Sequence, residues 1–191
     1  MTQRHNERCP DCKTSIRNLL AARFHHVEVN WDLDLPCSMS DYKDARLSSM
    51  LGTIYDALRD YRGYDHFVRS KKLPRVDFFI PEGYFIIEFD ESQHFTRPRE
   101  IALSHYHGHR GFGFSPDRWR TLCQQFNKRD NDPPFRDEQR AWYDTLRDFA
   151  PMLHGVGRTI RLYSRDAIWC FLNPNNQSDL HTFEALISIQ S

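Results

Sequence analysis

Residues 84–90, Tyr-Phe-Ile-Ile-Glu-Phe-Asp, constrain the fold more than any other stretch of the chain. Side chains alternate across a strand, so Phe85, Ile87 and Phe89 share one face, and Tyr84, Ile86, Glu88 and Asp90 share the other. Two carboxylates therefore leave the same face at the end of an otherwise apolar strand. Ionised groups set side by side against a core are costly unless something neutralises them. A hard divalent cation does so, and carboxylate oxygens are the ligands that Mg²⁺ prefers. Asp77 lies eleven positions before Glu88, across the turn signal Pro81-Glu82-Gly83, and a tight hairpin there brings Asp77 near Glu88. Three carboxylates on adjacent strands make a metal site of the sort that assists phosphodiester hydrolysis.

The surrounding pattern is that of one domain with a small N-terminal appendage. At 191 residues the chain is long enough for one sizeable core. Thr14 sits where a helix N-cap would, ahead of a short helix over 15–24 with Ile16, Leu19, Leu20 and Phe24 on one side. Residues 26–33 alternate as a half-buried strand, with Val27, Val29 and Trp31 on one face, and 36–40 read as a loop. Leu47, Leu51, Ile54, Leu58 and Tyr61 form one apolar helical stripe, with Asp41 or Asp44 as its cap and Gly63 at its end. Residues 66–81 and 83–95 read as strands, and 96–114, rich in glycine and histidine, as a long functional loop. Ser115-Pro116 starts a helix carrying Trp119, Leu122 and Phe126. Asn131-Asp132-Pro133-Pro134 breaks the chain before a helix from about 136 to 153. A strand over 159–163, a short strand over 167–172 and a helix capped by Ser178 complete the order. The fold class is α/β or α+β, a central sheet with helices around it. The expected division is an appendage over 1–40 and a main domain over 41–191.

Lys plus Arg and Asp plus Glu number 26 each, so any nucleic-acid-binding surface has to be local. No run approaches the length of a membrane span, and the N-terminus lacks the apolar core of a signal peptide. Five cysteines without such a leader point to a reducing, cytoplasmic setting rather than a disulfide framework.

The run 75-RVDFFIPEGYFIIEFDESQHF-95 resembles the PD-(D/E)XK nuclease superfamily, most closely the branch related to very-short-patch-repair endonucleases. In that branch an aspartate follows a basic segment, and a Glu-x-Asp leads into a histidine a few residues on. The likeness extends over about 45–165, with 67-FVRSKK-72 as the basic lead-in, 136-RDEQRAWYDTLRDF-149 as the returning helix and 158-RTIRLYS-164 as the last core strand. An unmatched insertion interrupts it at about 96–130. The resemblance implies a restriction-endonuclease-like core, a central mixed β-sheet flanked by helices. It also implies an endonuclease dependent on Mg²⁺ or Mn²⁺. Asp77 and Glu88 would hold the metal, Asp90 would assist in the place of the superfamily's lysine, and Gln93 and His94 would act on the adjoining turn. The missing lysine leaves its work to His94 as base, to a metal-bound water, or to a lysine from elsewhere such as Lys128. Many nucleases of this fold dimerise to cut both strands, so a homodimer is one expected arrangement.

DNA is the expected partner, with RNA the open alternative. Residues 59–75 carry a local net charge of +4, and Arg69, Lys71, Lys72 and Arg75, with Lys128, are the candidate phosphate contacts. His105, His107 and His109 alternate in the insertion, as a nucleic-acid-facing loop or a transition-metal site would. Cys9-Pro-Asp-Cys12 is half of a zinc knuckle, a candidate for structural Zn²⁺, with His5, His25, His26 and Cys37 as available partners. Cys123 and Cys170 lie in apolar segments and read as core residues. The rival class is a catalytically inactive module on the same fold, binding nucleic acid or protein, and the missing lysine is its support.

Overall fold

The computed structural model describes residue 7, residues 9–43 and residues 46–188. Four strands form one mixed sheet: β1 (Glu28–Trp31), β2 (Val76–Ile80), β3 (Phe85–Asp90) and β4 (Thr159–Tyr163), in that spatial order. β1 and β2 pair antiparallel, as do β2 and β3, while β3 and β4 pair parallel. Among the described residues there are seven α-helices: α1 (Asp11–Arg23), α2 (Ser48–Arg62), α3 (Arg97–Ser104), α4 (Pro116–Phe126), α5 (Arg136–Asp148), α6 (Ala150–Leu153) and α7 (Gln177–Ser188). No helix among these residues is long and apolar enough to cross a membrane.

Strand alternation divides the interior into two clusters, one on each side of the sheet. Phe85, Ile87 and Phe89 of β3, with Ile160 and Leu162 of β4, meet Cys12, Ile16, Leu19 and Leu20 of α1 and Phe183 of α7. Ile86 of β3 and Phe79 of β2 face the other way, toward Leu51, Ile54 and Leu58 of α2, Trp119 and Cys123 of α4, and Trp142 and Leu146 of α5. The architecture is thus helix, sheet, helix in three layers. The segment read as an appendage supplies β1 to the sheet and α1 to the cluster of Phe85, Ile87 and Phe89.

Several expectations give way to local chemistry. α1 starts at Asp11, inside the cysteine pair, so Thr14 is a helical residue and not the cap; Pro10 holds the N-cap position with φ −64°. Val27, Val29 and Trp31 do not share a face. Asn30 has a left-handed φ of 53°, and Trp31 stacks on Phe79 on the α5 side of the sheet while Val27 joins the cluster under α1. α2 begins without a side-chain cap, and Asp41 belongs to a preceding 3₁₀ turn, Met39–Tyr42. Asp44 lies outside the described residues. Gly63 ends α2 at φ 74°, where a side chain would strain the backbone.

Residues 66–75 are irregular, and only 76–80 form the strand. The expected long loop over 96–114 contains α3, because Thr96 caps the amide of Arg99 and Pro98 starts the helix. Ser115 caps α4 through the amide of Arg118. The helix expected over 136–153 is divided at Phe149, next to Pro151, which has no N–H to continue the ladder. Residues 167–172 hold a 3₁₀ turn, Trp169–Phe171, rather than a strand. Asn176, not Ser178, accepts the first-turn amides of α7.

The insertion is part of the core. Phe95 at its edge packs on Trp119, Phe126 and Tyr163. Gly113 lies on β4, where an added Cβ would come within 2.6 Å of the Thr159 carbonyl oxygen, so only glycine admits this approach.

Between the sheet and α5 the interface is ionic. The fully buried Arg161 of β4 donates to both oxygens of Asp90 at 2.8 and 2.9 Å, to Asp144 at 3.2 Å and to Asp148 at 2.6 Å. Asp148 also accepts from Arg99 and Tyr106, and Trp119 donates to Asp90 at 2.7 Å. Breaking a buried pair strands the partner charges, at about 3–5 kcal/mol. Arg161→Met should therefore lose about that much stability in urea denaturation. Arg23→Ala, which breaks only an exposed pair with Glu184, should lose less than about 1 kcal/mol.

Burial works to raise the carboxyl groups of Asp90 and Asp144, but Arg161, together with His94, holds both below the usual value of 3.8. Groups depressed in the folded state stabilise it above their unfolded pKa, and that stability is lost as the pH falls through the folded value. The urea midpoint should accordingly drop as the pH is lowered below about 4, and drop less steeply in Arg161→Met.

Candidate functional site

β2 and β3 stay paired from Ile80–Phe85 to Phe78–Ile87, and beyond that rung two carboxylates take over the bridging. The amide of Asp77 donates to Glu88 Oε1 at 3.2 Å, and the amide of Phe89 donates to Asp77 Oδ2 at 2.9 Å. Each acid so spends one oxygen on the other strand's backbone. Its second oxygen meets a cation: Lys13 Nζ lies 2.5 Å from Asp77 Oδ1, and Arg147 Nε lies 3.4 Å from Glu88 Oε2.

Glu88 is almost fully enclosed, and burial pushes its carboxyl up to about 7, against the pull of Arg147 and with the repulsion of Asp77. Asp77 is more open, with 17% of its side chain accessible. It borders a pocket of about 180 Å³ that Lys13, Thr14, Arg17 and Asn30 also line. Two cations, a hydroxyl and an amide beside Asp77 are suited to hold an anion such as a phosphate.

The other expected site residues lie in separate surroundings. Asp90 shares a strand face with Glu88, but its two oxygens are committed to Arg161 and Trp119. His94, in a 3₁₀ turn over Ser92–His94, places Nδ1 3.3 Å from Asp144 and 3.5 Å from Asp90. Ionised carboxylates only accept, so Nδ1 carries a proton toward them. Gln93 donates to Glu91 at 2.6 Å, and its carbonyl accepts from Arg140.

Much of the basic segment over 59–75 is engaged within the molecule. Arg59 pairs with Asp56 and Asp60, Arg62 with Glu138, and Lys72 with Asp34, while Arg69 lies over Phe135. Arg69, Lys71, Lys72 and Arg75 are all exposed, and Arg75 immediately precedes β2. Lys128 is exposed on a different pocket of about 220 Å³, with Arg62, Arg97 and Arg129. The cation beside Asp77 is Lys13, which the sequence reading did not single out. Its signal was slight: Lys13 and Arg17 stand one helical turn apart directly after the cysteine pair.

A second cluster lies at the start of α1. The sulfurs of Cys9, Cys12 and Cys170 all fall within 4.8 Å of one another, a set that could bind a metal such as zinc. Cys170, expected in the core, is thus the partner of the N-terminal pair, brought there by the turn over Trp169–Phe171. Cys37 is buried in the other cluster, and the amides of His25 and His26 bond to Glu82. His5 lies outside the described residues. Among the described residues no other group of three donors forms, so the alternating histidines at 105, 107 and 109 are not gathered into a metal site. Burial pushes the Cys12 thiol up to about 12, and its neighbours Cys9 and Cys170 push the same way.

Comparison with protein-family models, with curated proteins and with solved structures gave no match for this chain.

Because the folded-state pKa of Glu88 is raised, its contribution to stability is full below its unfolded value and lost as the pH rises through about 7. In divalent-free buffer this contribution should be lost as the pH rises from about 4.5 to about 7, lowering the wild-type melting temperature across that window. Glu88→Gln, uncharged throughout, should melt higher than wild type at the upper pH. A lower melting temperature for the variant there would contradict this account.

Proposed function

We propose that this chain is a divalent-metal-dependent nuclease of the PD-(D/E)XK kind, hydrolysing phosphodiester bonds in DNA, with Asp77 and Glu88 as the acids that hold the metal. The observation that carries the reading is the exchange between Asp77 and Glu88 across the parting strands. It fixes both side chains and leaves one oxygen of each to a cation. The sequence resemblance over 75–95 supports it, as does the four-stranded mixed sheet flanked by helices, which suits the restriction-endonuclease-like core.

The residues present fit such an ion. Asp77 Oδ1 is held by a half-exposed lysine that can swing aside. Arg147 Nε, facing Glu88, is buried with no hydrogen-bond partner, so the Glu88 oxygen is also weakly held. Mg²⁺ commonly takes one or two protein carboxylates and keeps several waters, and Asp77 borders an open pocket from which such an ion would enter. A divalent ion there would supply Lewis-acid stabilisation of the phosphate and a nucleophilic water near neutral pH.

Lys13 and Arg17 would bind the phosphate from the pocket side, and Lys13, beside Asp77, would take the work of the superfamily's absent lysine. Asp90 serves as the anchor of the adjacent ionic interface. His94, paired with Asp144 and Asp90, does not line the Asp77 pocket. In the overall step the oxygen of water joins phosphorus, one ester P–O bond breaks, and the departing oxygen takes a proton.

One observation favours the rival reading of a binding module without catalysis. The outward oxygens of both acids already meet cations of the chain itself, so the pair is neutralised without a metal. Titration with Mn²⁺ separates the two, since a binding-only site would take up no ion at Asp77.

Cleavage of supercoiled plasmid and of single-stranded DNA with Mg²⁺ or Mn²⁺ is the test. Asp77→Asn and Glu88→Gln should abolish cleavage, Lys13→Ala should slow it by about 10²-fold, and Lys128→Ala should change it little. Full activity in Glu88→Gln would overturn the assignment.

A further inference from the structure

We propose that Cys9, Cys12 and Cys170 hold one zinc ion, whose role is to fix the first turn of α1, and Lys13 with it, against β2. The donor geometry comes first. Tetrahedral zinc with thiolate bonds near 2.3 Å places its sulfurs about 3.8 Å apart. The three sulfurs lie within 4.8 Å of one another without any metal, so small rotations close the set. None of the five cysteines is in a disulfide, and a disulfide between any two of these three would leave the third aside. Thiolate donors select zinc over the hard cations that carboxylates favour. A four-cysteine iron–sulfur site does not form, since Cys37 and Cys123 belong to the cluster on the other side of the sheet.

The surroundings fit a closed structural site. Cys12 is buried and Cys9 and Cys170 are half-buried. α1 has Pro10 at its N-cap and no side-chain cap, so the positive end of the helix lies at these sulfurs and partly offsets the burial that disfavours the Cys12 thiolate. A second contact follows the same path. Glu7 accepts from the amide of Ser92 and pairs with Arg165, five residues before Cys170, so the N-terminal segment already runs along this edge. The ion would join points about 160 residues apart, and closing so long a loop removes much freedom from the unfolded chain.

Lys13 follows Cys12 directly and reaches Asp77. Only this last consequence touches the nuclease reading; the zinc site stands without it. Among the described residues no fourth Cys, His, Asp or Glu donor lies within 4.8 Å of all three sulfurs, although Asp11 Oδ2 lies 3.9 Å from Cys9 Sγ.

The experiment uses the full chain purified with zinc present. Metal analysis should find one zinc per chain. Cys9→Ser and Cys170→Ser should each weaken zinc binding by at least about tenfold, and Cys123→Ser should retain it. Hydrogen exchange of the α1 amides should quicken at least about tenfold on chelation or in Cys170→Ser, with β3 unchanged. Circular dichroism of Cys170→Ser at the wild-type value shows that the loss is local. No zinc, zinc retained by Cys170→Ser, copper or iron in its place, or a disulfide among the three would overturn the site. Unchanged α1 exchange after zinc removal would overturn its role. Neither readout depends on cleavage, so a protein that cuts no DNA but passes both tests refutes the nuclease alone.

Discussion

The guanidinium of Arg161 is the group on which the rest of the structure depends. It emerges from β4 into an interface where apolar packing would be expected, and three aspartates, Asp90, Asp144 and Asp148, converge on it. Three acids around one arginine would repel one another, and Arg99 and Arg147 bring the balance back, while His94 Nδ1 lies 3.3 Å from Asp144. Such a network stabilises the fold little over a well-packed apolar core, but it tolerates only one arrangement. β3, β4, α3, α5 and the turn carrying His94 are all fixed by it. The same α5 that supplies Asp144 and Asp148 supplies Arg147, so Glu88 is positioned by the network without belonging to it.

The paired acids work against stability. Glu88 is enclosed deeply enough to keep its proton near neutrality, and Asp77 stands beside it. A fold selected only for stability would put a neutral residue at position 88. A partly exposed lysine and a loosely engaged arginine offset the charge incompletely, and both leave an oxygen that a stronger cation would take. The pair is therefore a charged feature that stability alone does not account for.

Local order was legible where pattern and cap agree. The stripe of α2 with Gly63, the Ser115-Pro116 start of α4 and the alternation of β3 needed nothing beyond the sequence. α3 was obscured because the glycines and histidines at 105–113 outweighed the Thr96-x-Pro98 signal just before them. Alternation correctly puts Glu88 and Asp90 on one face, yet it cannot tell that Arg161, 71 residues on, claims Asp90. The cation at Asp77 and the third thiol at Cys170 come from opposite ends of the chain, and no spacing rule connects residues so far apart. What sequence reading missed was long-range and polar, where the partner rather than the residue decides the role.

The position of the acids follows from a fault in the sheet. Val29 pairs with Phe78 and Trp31 with Val76, so Asn30 and Asp77 face each other between two rungs. Across this point the strands exchange sides: Phe78 packs in the cluster under α1, and Val76 packs in the cluster under α5. Asn30 makes the change by entering the left-handed region, which asparagine tolerates better than most residues. A regular ladder would have satisfied the backbone amides of Asp77 and Phe89 with carbonyls. The irregular one leaves them to the carboxylates, and that is why the two acids are held so closely. Strain in β1 and charge in β2 and β3 are therefore one feature, and the opening it creates is the pocket into which Lys13 reaches.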